Sequence, residues 1–551
     1  MYNSMKKHFT IIALALIISI GSQAKERTAQ QKRQLALSVL NTNTPTRAEE
    51  AGSIEELKTM KTLTVMGYAD GRGFAVISND DRHEAVLGWS DGQFNADRIP
   101  DGLKWWLDMA NAVLESGNDY TRTVTPATVG DNSLPESVES FVPTRWGQGD
   151  PYNRQCPNMG GARAVTGCVA TAAAQIMYYY GYPTTGAGDP VFDPISFDFV
   201  DFANTTYDYG NMIDIYSDGF TTAQADAVAT LMHHCGVATQ MSYGTDASGA
   251  FSYIAAGAWR DNFRYNTEFY RREVFSTAEW MSIIYNELSN LRPIQYGGAD
   301  ENMGGHSFVF DGYNAEGLVH VNWGWDGDAD GYYDVAVLNP QNYQFVHQQE
   351  MILMHTPDAP ELTYRSQWGI MSGFGVPGSF TVSVDGNALT YIATYLLQTD
   401  SDPFMGQLAL MCEPADGGAT TVLDANTVVD ENGEPAEVQY TDGYGQYGNI
   451  IDISGLADGT YYLYLASKAT SPVNETEWQP IHYGESVNGR YTLTISGGNA
   501  SVSTGIDNIT VSPSTDNDRR IYSVDGRYLG TDETKLGKGL YIRDGKKFIK
   551  R

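Results

Sequence analysis

The periodicity of this sequence changes once, at Pro357, and the change limits what the chain can fold into. Upstream, helical and strand patterns interleave. Downstream, only the alternation of strands is found, as in Ser379–Val384 and Thr460–Leu465, with Gly and Asp between the runs. An α+β front and an all-β rear follow, and the 551 residues are enough for roughly three to five folded units. The front itself divides. A polar stretch from residue 25 to about 50 holds one helical segment near Gln30–Leu40. Short strands are expected at Leu63–Tyr68, Gly73–Ser78 and Ala85–Trp89. An amphipathic helix then carries Leu103, Trp106, Leu107, Ala110 and Leu114 on one face. Gly117–Pro135, rich in Thr, Asn, Gly and Ser, reads as an exposed linker open to proteolytic nicking. Helices near 168–180, 221–235 and 277–290 follow, and then a strand-rich stretch from Pro293 to Met354. After a polar segment at Ser512–Asp518, the tail Arg520–Arg551 holds three short strand-like pieces with Asp-Gly turns.

Charge and the N-terminus bound the setting. There are 35 basic against 67 acidic side chains, a formal charge of −32, which disfavours nucleic acid and anionic membranes as partners. Lys6, Lys7 and His8 precede an apolar run from Phe9 to Ile20, with small residues at Ser22 and Ala24. This pattern reads as a secretory signal, residues 1–24, cut after Ala24. The run falls short of the roughly 20 residues that span a bilayer, and no later stretch is long and apolar enough. An exported protein without a membrane-spanning segment is expected. The four cysteines (Cys156, Cys168, Cys235 and Cys412) are too few for a disulfide-stapled scaffold, although two bridges stay possible. They show no Cys-x-x-Cys or Cys/His ligand spacing, so no structural metal is expected.

Candidate chemistry sits between residues 145 and 325. Cys168 follows Gly167 and opens a run of helix formers, Val169–Tyr180. A thiol in the first helical turn feels unpaired N–H groups and the positive end of the dipole, which favour the thiolate. A lone cysteine there would serve equally as a small buried hydrophobe. His306 heads a buried-looking strand behind Gly304 and Gly305, and Asn322 follows on the expected partner strand. A thiolate–imidazolium pair needs a third group to fix the ring, and an Asn amide oxygen can do this. An indole from Trp323 or Trp325 can shield that bond from water. His320 is an alternative base on a strand that alternates as buried. Upstream, the Gln148 amide and the Cys168 N–H can together stabilise an oxyanion.

These blocks carry a resemblance. The order Gln148, Cys168, His306, Asn322 is that of papain-like cysteine proteases. Trp-Gly-Gln148, Gly-Cys168-Val-Ala-Thr-Ala-Ala-Ala-Gln, Gly-Gly-His306-Ser-Phe-Val and Val-Asn322-Trp323-Gly-Trp together resemble the streptopain family. The resemblance implies an α+β, papain-like two-lobed protease domain, preceded by an α+β propeptide and followed by a β-sandwich. It implies Cys168 as nucleophile, His306 as general acid/base, Gln148 in the oxyanion hole, and Asn322 with Trp323 around the histidine. It also implies Gly305 and Ser248 as substrate contacts, a preference for an apolar residue next but one before the cleaved bond, no cofactor, and a part in virulence. Protein substrates are the expected partners, with the chain's own propeptide as intramolecular inhibitor, and Gly73–Arg82 resembles a strand of such a propeptide. The tail, above all Lys538–Phe548, is similar to C-terminal sorting modules of Bacteroidetes-type secretion, which implies release or surface attachment.

The domains are accordingly drawn at 1–24 (signal), 25–138 (propeptide), 139–357 (protease), 358–505 (β-sandwich) and 506–551 (sorting-type module). One motif competes: Asp326-Gly-Asp328-Ala-Asp330-Gly matches the first half of a calcium loop, but Val337 stands where the twelfth-position Glu belongs. The rival reading is a non-catalytic surface protein that binds through the 360–500 region on a protease-like scaffold. An amidase or transglutaminase-type acyl transferase would use the same dyad with a different acceptor.

Overall fold

A computed structural model describes residues 25–40, 53–69, 71–116, 119–129, 134–193, 198–300, 304–338, 349–359, 367–371, 377–430, 432–470, 475–484, 487–504, 521–523, 528–530, 539–543 and 546–550. The predicted signal segment lies outside them. The chain forms two compact units, one essentially residues up to 363 and the other the remainder.

The first unit is built on a ten-stranded antiparallel sheet. Its strands in chain order are β1 (Ile54–Thr59), β2 (Leu63–Tyr68), β3 (Arg72–Ser78) and β4 (Val86–Gln93). Two short hairpins, β5/β6 (Asn158–Met159, Ala162–Arg163) and β7/β8 (Val191–Asp193, Asp198–Val200), lie outside the sheet. It resumes with β9 (Asn266–Arg271), β10 (Ile294–Asp300), β11 (Gly304–Tyr313), β12 (Val319–Asn322), β13 (Gly331–Tyr333) and β14 (Glu350–His355). The spatial order is β1-β2-β3-β4-β13-β12-β11-β10-β14-β9. The sheet is therefore continuous across the 138/139 boundary drawn from sequence. β4 pairs with β13 through Trp89 opposite Tyr332 and Gly88 opposite Tyr333, and the two aromatic rings stack at 4.8 Å.

Seven helices accompany the sheet among the described residues: α1 (Ala29–Leu40), α2 (Asp101–Glu115), α3 (Pro126–Val129), α4 (Cys168–Tyr180), α5 (Thr222–Ala238), α6 (Ser252–Phe263) and α7 (Thr277–Ser289). Ala36 and Leu40 of α1 share a core with Met66, Ala75 and Ile77 of β2 and β3. The starts of α5 and α7 are fixed by reciprocal caps, Thr221 with Gln224 and Ser276 with Glu279. Each such cap is worth about 1 kcal/mol. The three long helices expected after residue 160 are present, and α6 is an addition. Its sequence, Ser-Tyr-Ile-Ala-Ala-Gly-Ala-Trp-Arg-Asp-Asn-Phe, has only a weak apolar stripe and an internal Gly, so it gives little periodic signal.

The expected exposed linker is partly a strap. Tyr120 donates from its hydroxyl to Asp334 Oδ2 at 2.9 Å, and Arg122 bonds the same oxygen with its Nε at 2.9 Å. Arg122 also donates to Val86 O and Glu316 O. Burial works against its charge, but Asp334 overrides this and holds the guanidinium above its ordinary value. A polar segment reads as solvent-exposed from composition alone. Here its polar groups find buried partners across the fold, which composition does not encode.

The second unit contains no helix among its described residues. Its four-stranded sheet holds Trp368–Ile370, Ser379–Asp385, Ala388–Gln398 and Gly443–Asp452. Its six-stranded sheet is built on Gly406–Pro414, Thr421–Thr427, Gly459–Ala469, Tyr491–Ser496 and Asn499–Ser503. Both contribute to one core, Trp368, Phe380, Tyr391 and Leu396 from the first and Leu410, Leu463 and Leu493 from the second. The described parts of the tail, Ile521–Ser523, Tyr528–Gly530, Gly539–Arg543 and Lys546–Lys550, form a separate four-stranded sheet. This is one strand more than the sequence suggested. No described helix is long and apolar enough to cross a membrane.

Candidate active site

Cys168 is the first residue of α4, and the residue before it can only be glycine. Gly167 has φ +87°, and a Cβ there would stand 2.8 Å from the Met241 side chain and 3.0 Å from Ser248 O. The half-buried sulfur lies 4.0 Å from Gly305 O on β11. The sulfur therefore meets the main chain on the near side of His306. Burial raises the thiol's pKa. The N–H groups of Ser307, Val169 and Cys168 pull it down, Asp101 pushes it further up, and the net shift is upward. The thiolate expected from a helix start is thus not the favoured form here. The N–H groups act as expected, but burial outweighs them, and Asp101, the first residue of α2, adds a like charge.

His306 lies opposite Gly298 in the β10–β11 pair. Strand alternation assigns His306 and Phe308 to one face and Ser307 to the other. The Ser307 face is the α4 side: Gln295 Nε2 donates to both Ser307 Oγ (3.1 Å) and Val169 O (3.2 Å). The face of His306 and Phe308 is covered by α2. The Trp105 ring lies so close over Gly298 that a Cβ there would be 2.2 Å from it, and it tilts against Phe308 with centroids 6.2 Å apart. Gly102 meets the Trp323 indole, where a Cβ would stand 2.6 Å from the ring. A neighbouring indole, Trp106, donates to Asp334 O at 3.0 Å. The helix is amphipathic as predicted, but its site contacts come from Gly102 and Trp105, buried residues beside the predicted stripe.

The other predicted residues are held by contacts of their own. The main-chain oxygen of Gln148 accepts from the N–H of Thr166 (3.1 Å), two residues before Cys168. Asn322 is buried; its amide donates to Thr144 O at 2.7 Å and its Oδ1 accepts from the Gly324 N–H at 3.0 Å. These bonds tie β12 to the turn after it and to the segment before Gln148. Trp323 packs on Phe308 (4.8 Å) and on Tyr333 (5.2 Å). The Ser248 hydroxyl donates to Val165 O and accepts from the Gly244 N–H, so its side chain shapes the loop beside Gly167. Gly305 is exposed on the rim, paired with Ala299.

His320, the alternative base, is engaged elsewhere: its Nδ1 bonds Asp311 Oδ1 at 2.5 Å. Burial opposes its charge, but Asp311 prevails and raises its pKa. In the acidic loop, Asp330 Oδ1 accepts from the Trp323 N–H at 2.9 Å. Burial pushes the Asp330 carboxyl up to about 7, while the Trp323 N–H bond works the other way. All four cysteines are free thiols. Sequence reasoning had not singled out Asp101, Gly102, Trp105, Gly298 or Asp330 as site residues. Only the second Asp-Gly of the competing motif pointed near one of them.

A cysteine at a helix start against a histidine strand, closed over by an N-terminal helix, defines a cysteine peptidase in precursor form. The comparisons with known proteins agree. Residues 146–333 match the model of the Peptidase C10 family, and residues 24–113 match that of the Spi protease inhibitor. Streptopain of Streptococcus pyogenes is 32% identical over 290 residues, which cover 49% of this chain and 72% of that protein. The thiol protease/hemagglutinin PrtT of Porphyromonas gingivalis is 30% identical over 366 residues, or 61% of this chain and 42% of that relative's length. Among solved structures, a prointerpain A fragment of Prevotella intermedia is 42% identical, with 55% of this chain and 98% of that one covered at a TM-score of 0.50. The chain belongs to the Peptidase C10 family. It is a cysteine peptidase made as a zymogen, with an inhibitory propeptide of the Spi type.

Proposed function

We propose that this zymogen matures into an exported endopeptidase in which Cys168 and His306 form the catalytic pair of a papain-like, two-lobed domain. The Cys168 thiolate attacks a peptide carbonyl. The Gln148 side-chain amide and the Cys168 N–H take the charge that develops on its oxygen. His306 then protonates the leaving amine, and water, deprotonated by the same imidazole, releases the acyl group. Asn322 and Trp323 fix the histidine, and Gly305 and the Ser248 loop line the substrate path. Protein substrates and the propeptide are the partners in this reading, and nucleic acid is not.

The observation that carries the reading is the Cys168 sulfur at the head of a helix, 4.0 Å from Gly305 O, the carbonyl of the residue before His306. It favours catalysis over the rival binding-protein reading. In the precursor the pair is off: α2 covers the His306 face, and the thiol's pKa is raised. Activation must therefore remove residues up to about 138, and the strap at Tyr120–Arg122 must let go of Asp334. The second unit reads as a β-sandwich over 358–505, followed by a sorting module over 506–551 that serves release or surface attachment.

The test is mass spectrometry of the precursor from Lys25 onward, incubated under reducing conditions beside Cys168→Ala. Wild type should lose its N-terminal segment and then cleave casein, while the variant should stay intact unless trimmed in trans. A trimmed, reduced wild type that neither cleaves casein nor reacts with a thiol-directed peptide probe would end this reading. Product analysis with an added amine separates hydrolysis from acyl transfer.

A further inference from the structure

The turn that follows Trp323 makes contacts that the mechanism above leaves unassigned. Trp323 is held at both of its N–H groups by two adjacent residues. Its main-chain N–H donates to Asp330 Oδ1 at 2.9 Å, and its indole N–H donates to Ala329 O at 3.1 Å. The Tyr333 hydroxyl donates to the same Ala329 oxygen at 2.6 Å. Asp330 Oδ1 can accept from the Trp323 N–H whether the carboxyl is ionised or protonated on its other oxygen. The indole so held lies against Phe308 at 4.8 Å. Phe308 is two residues from His306 on β11, on the same face. The propeptide reaches the same residue, since Ser90 of β4 donates to Asp330 O at 2.5 Å. Asp330 thus sits where the propeptide strand, the indole and the histidine strand converge.

We propose that Asp330 is a positioning residue for the peptidase reaction: by holding the Trp323 main chain it fixes the indole and, through the indole and Phe308, the resting place of the His306 ring. This rests on the assignment of His306 and Trp323 given above. Asp330 touches no reacting atom, and its effect is on the geometry of the histidine once the propeptide has gone.

The test compares trimmed wild type with trimmed Asp330→Ala and Asp330→Asn, each standardised by titrating active Cys168 with a thiol-reactive peptide inhibitor. An unlabelled apolar peptide substrate then gives kcat and KM per titrated site. Asp330→Ala should lower kcat about tenfold or more with KM within about twofold, the pattern of a group felt only in the transition state. Asp330→Asn keeps an oxygen acceptor and should recover most of the rate. Should Asp330→Ala not yield soluble precursor, Asp330→Ser, whose hydroxyl falls short of the Trp323 N–H, takes its place with the same expectation. Unchanged kcat per titrated site in Asp330→Ala or Asp330→Ser overturns the proposal, as does a loss that Asp330→Asn shares in full. If wild type itself is inactive after trimming, the assignment of the catalytic pair fails instead.

Discussion

The two sides of the proposed catalytic cleft are in different states. On the α4 side the parts are in place: Gly167 has its left-handed turn, Cys168 its helix start, and Ser307 and Gln295 bind the helix to the sheet. On the His306 side the space is taken by α2, with Trp105 over Gly298 and Gly102 against Trp323. Latency in this molecule is therefore one-sided. On the proposed mechanism the scaffold around Cys168 needs no rebuilding, and activation consists of clearing a face of the β10–β11 pair and lowering the thiol's pKa.

The largest effect expected from this contrast is that of Cys168→Ala. It should reduce self-trimming and casein cleavage by about 10³-fold or more while leaving the precursor's fold and thermal unfolding unchanged. Next is Trp105→Ala. Trp105 is 1% exposed, and removing a buried Trp side chain costs about 3–5 kcal/mol. Part of that loss falls on the docking of α2. Activity of the untrimmed precursor towards a small peptide should rise at least tenfold, and self-trimming should quicken in a time course followed by gel. Gly298→Ala should act in the same direction from the other side of the contact, because its Cβ meets the Trp105 ring at 2.2 Å.

The strap comes third. Arg122 and Asp334 are almost wholly buried, with side chains 6% and 0% exposed. Breaking such a pair from one side costs about 3–5 kcal/mol. Arg122→Ala should lower the precursor's melting temperature and expose residues 119–129 to trypsin and other proteases. The trimmed enzyme, from which Arg122 has gone with the propeptide, should not differ from trimmed wild type. The smallest effect is that of Asp101→Asn. It removes a like charge beside Cys168 and should shift the pH dependence of alkylation at Cys168 in the precursor to lower pH. Burial, the larger cause, remains, so the shift should be partial.

Much of this was legible beforehand, for physical reasons that can be named. Gly-Cys168 before a run of helix formers specifies a helix start. Gly-Gly-His306 before an alternating apolar run specifies a strand. Both are local, and both appear where the sequence places them. The same locality explains the misses. Alternation shows that β4 and β13 are strands but not that they pair, so the sheet's passage across the expected domain boundary was hidden. The apolar stripe of α2 was visible, but the contacts that Trp105 and Gly102 make beside it were not, because Gly298 and Gly102 carry no side chain to announce a contact. The raised thiol pKa follows from burial in the fold and from Asp101, more than fifty residues upstream in sequence, and helix-dipole reasoning alone gave the opposite sign. The polar strap at Tyr120–Arg122 looked like solvent-facing linker until Asp334 was seen beneath it.

On this reading α2, by covering the His306 face and setting Asp101 beside Cys168, holds the pair inactive. The most direct test is the rate of iodoacetamide modification at Cys168, read by peptide mass spectrometry from pH 5 to 10 for the precursor and the trimmed protein. The other three cysteines are buried and serve as internal references. The precursor should react slowly at neutral pH, with the rate rising only above the ordinary thiol range. The trimmed protein should react readily at pH 6–7, as a thiolate beside an imidazolium does. The same high-pH profile in both forms would contradict the account, since removing the propeptide would then have left the nucleophile as it was.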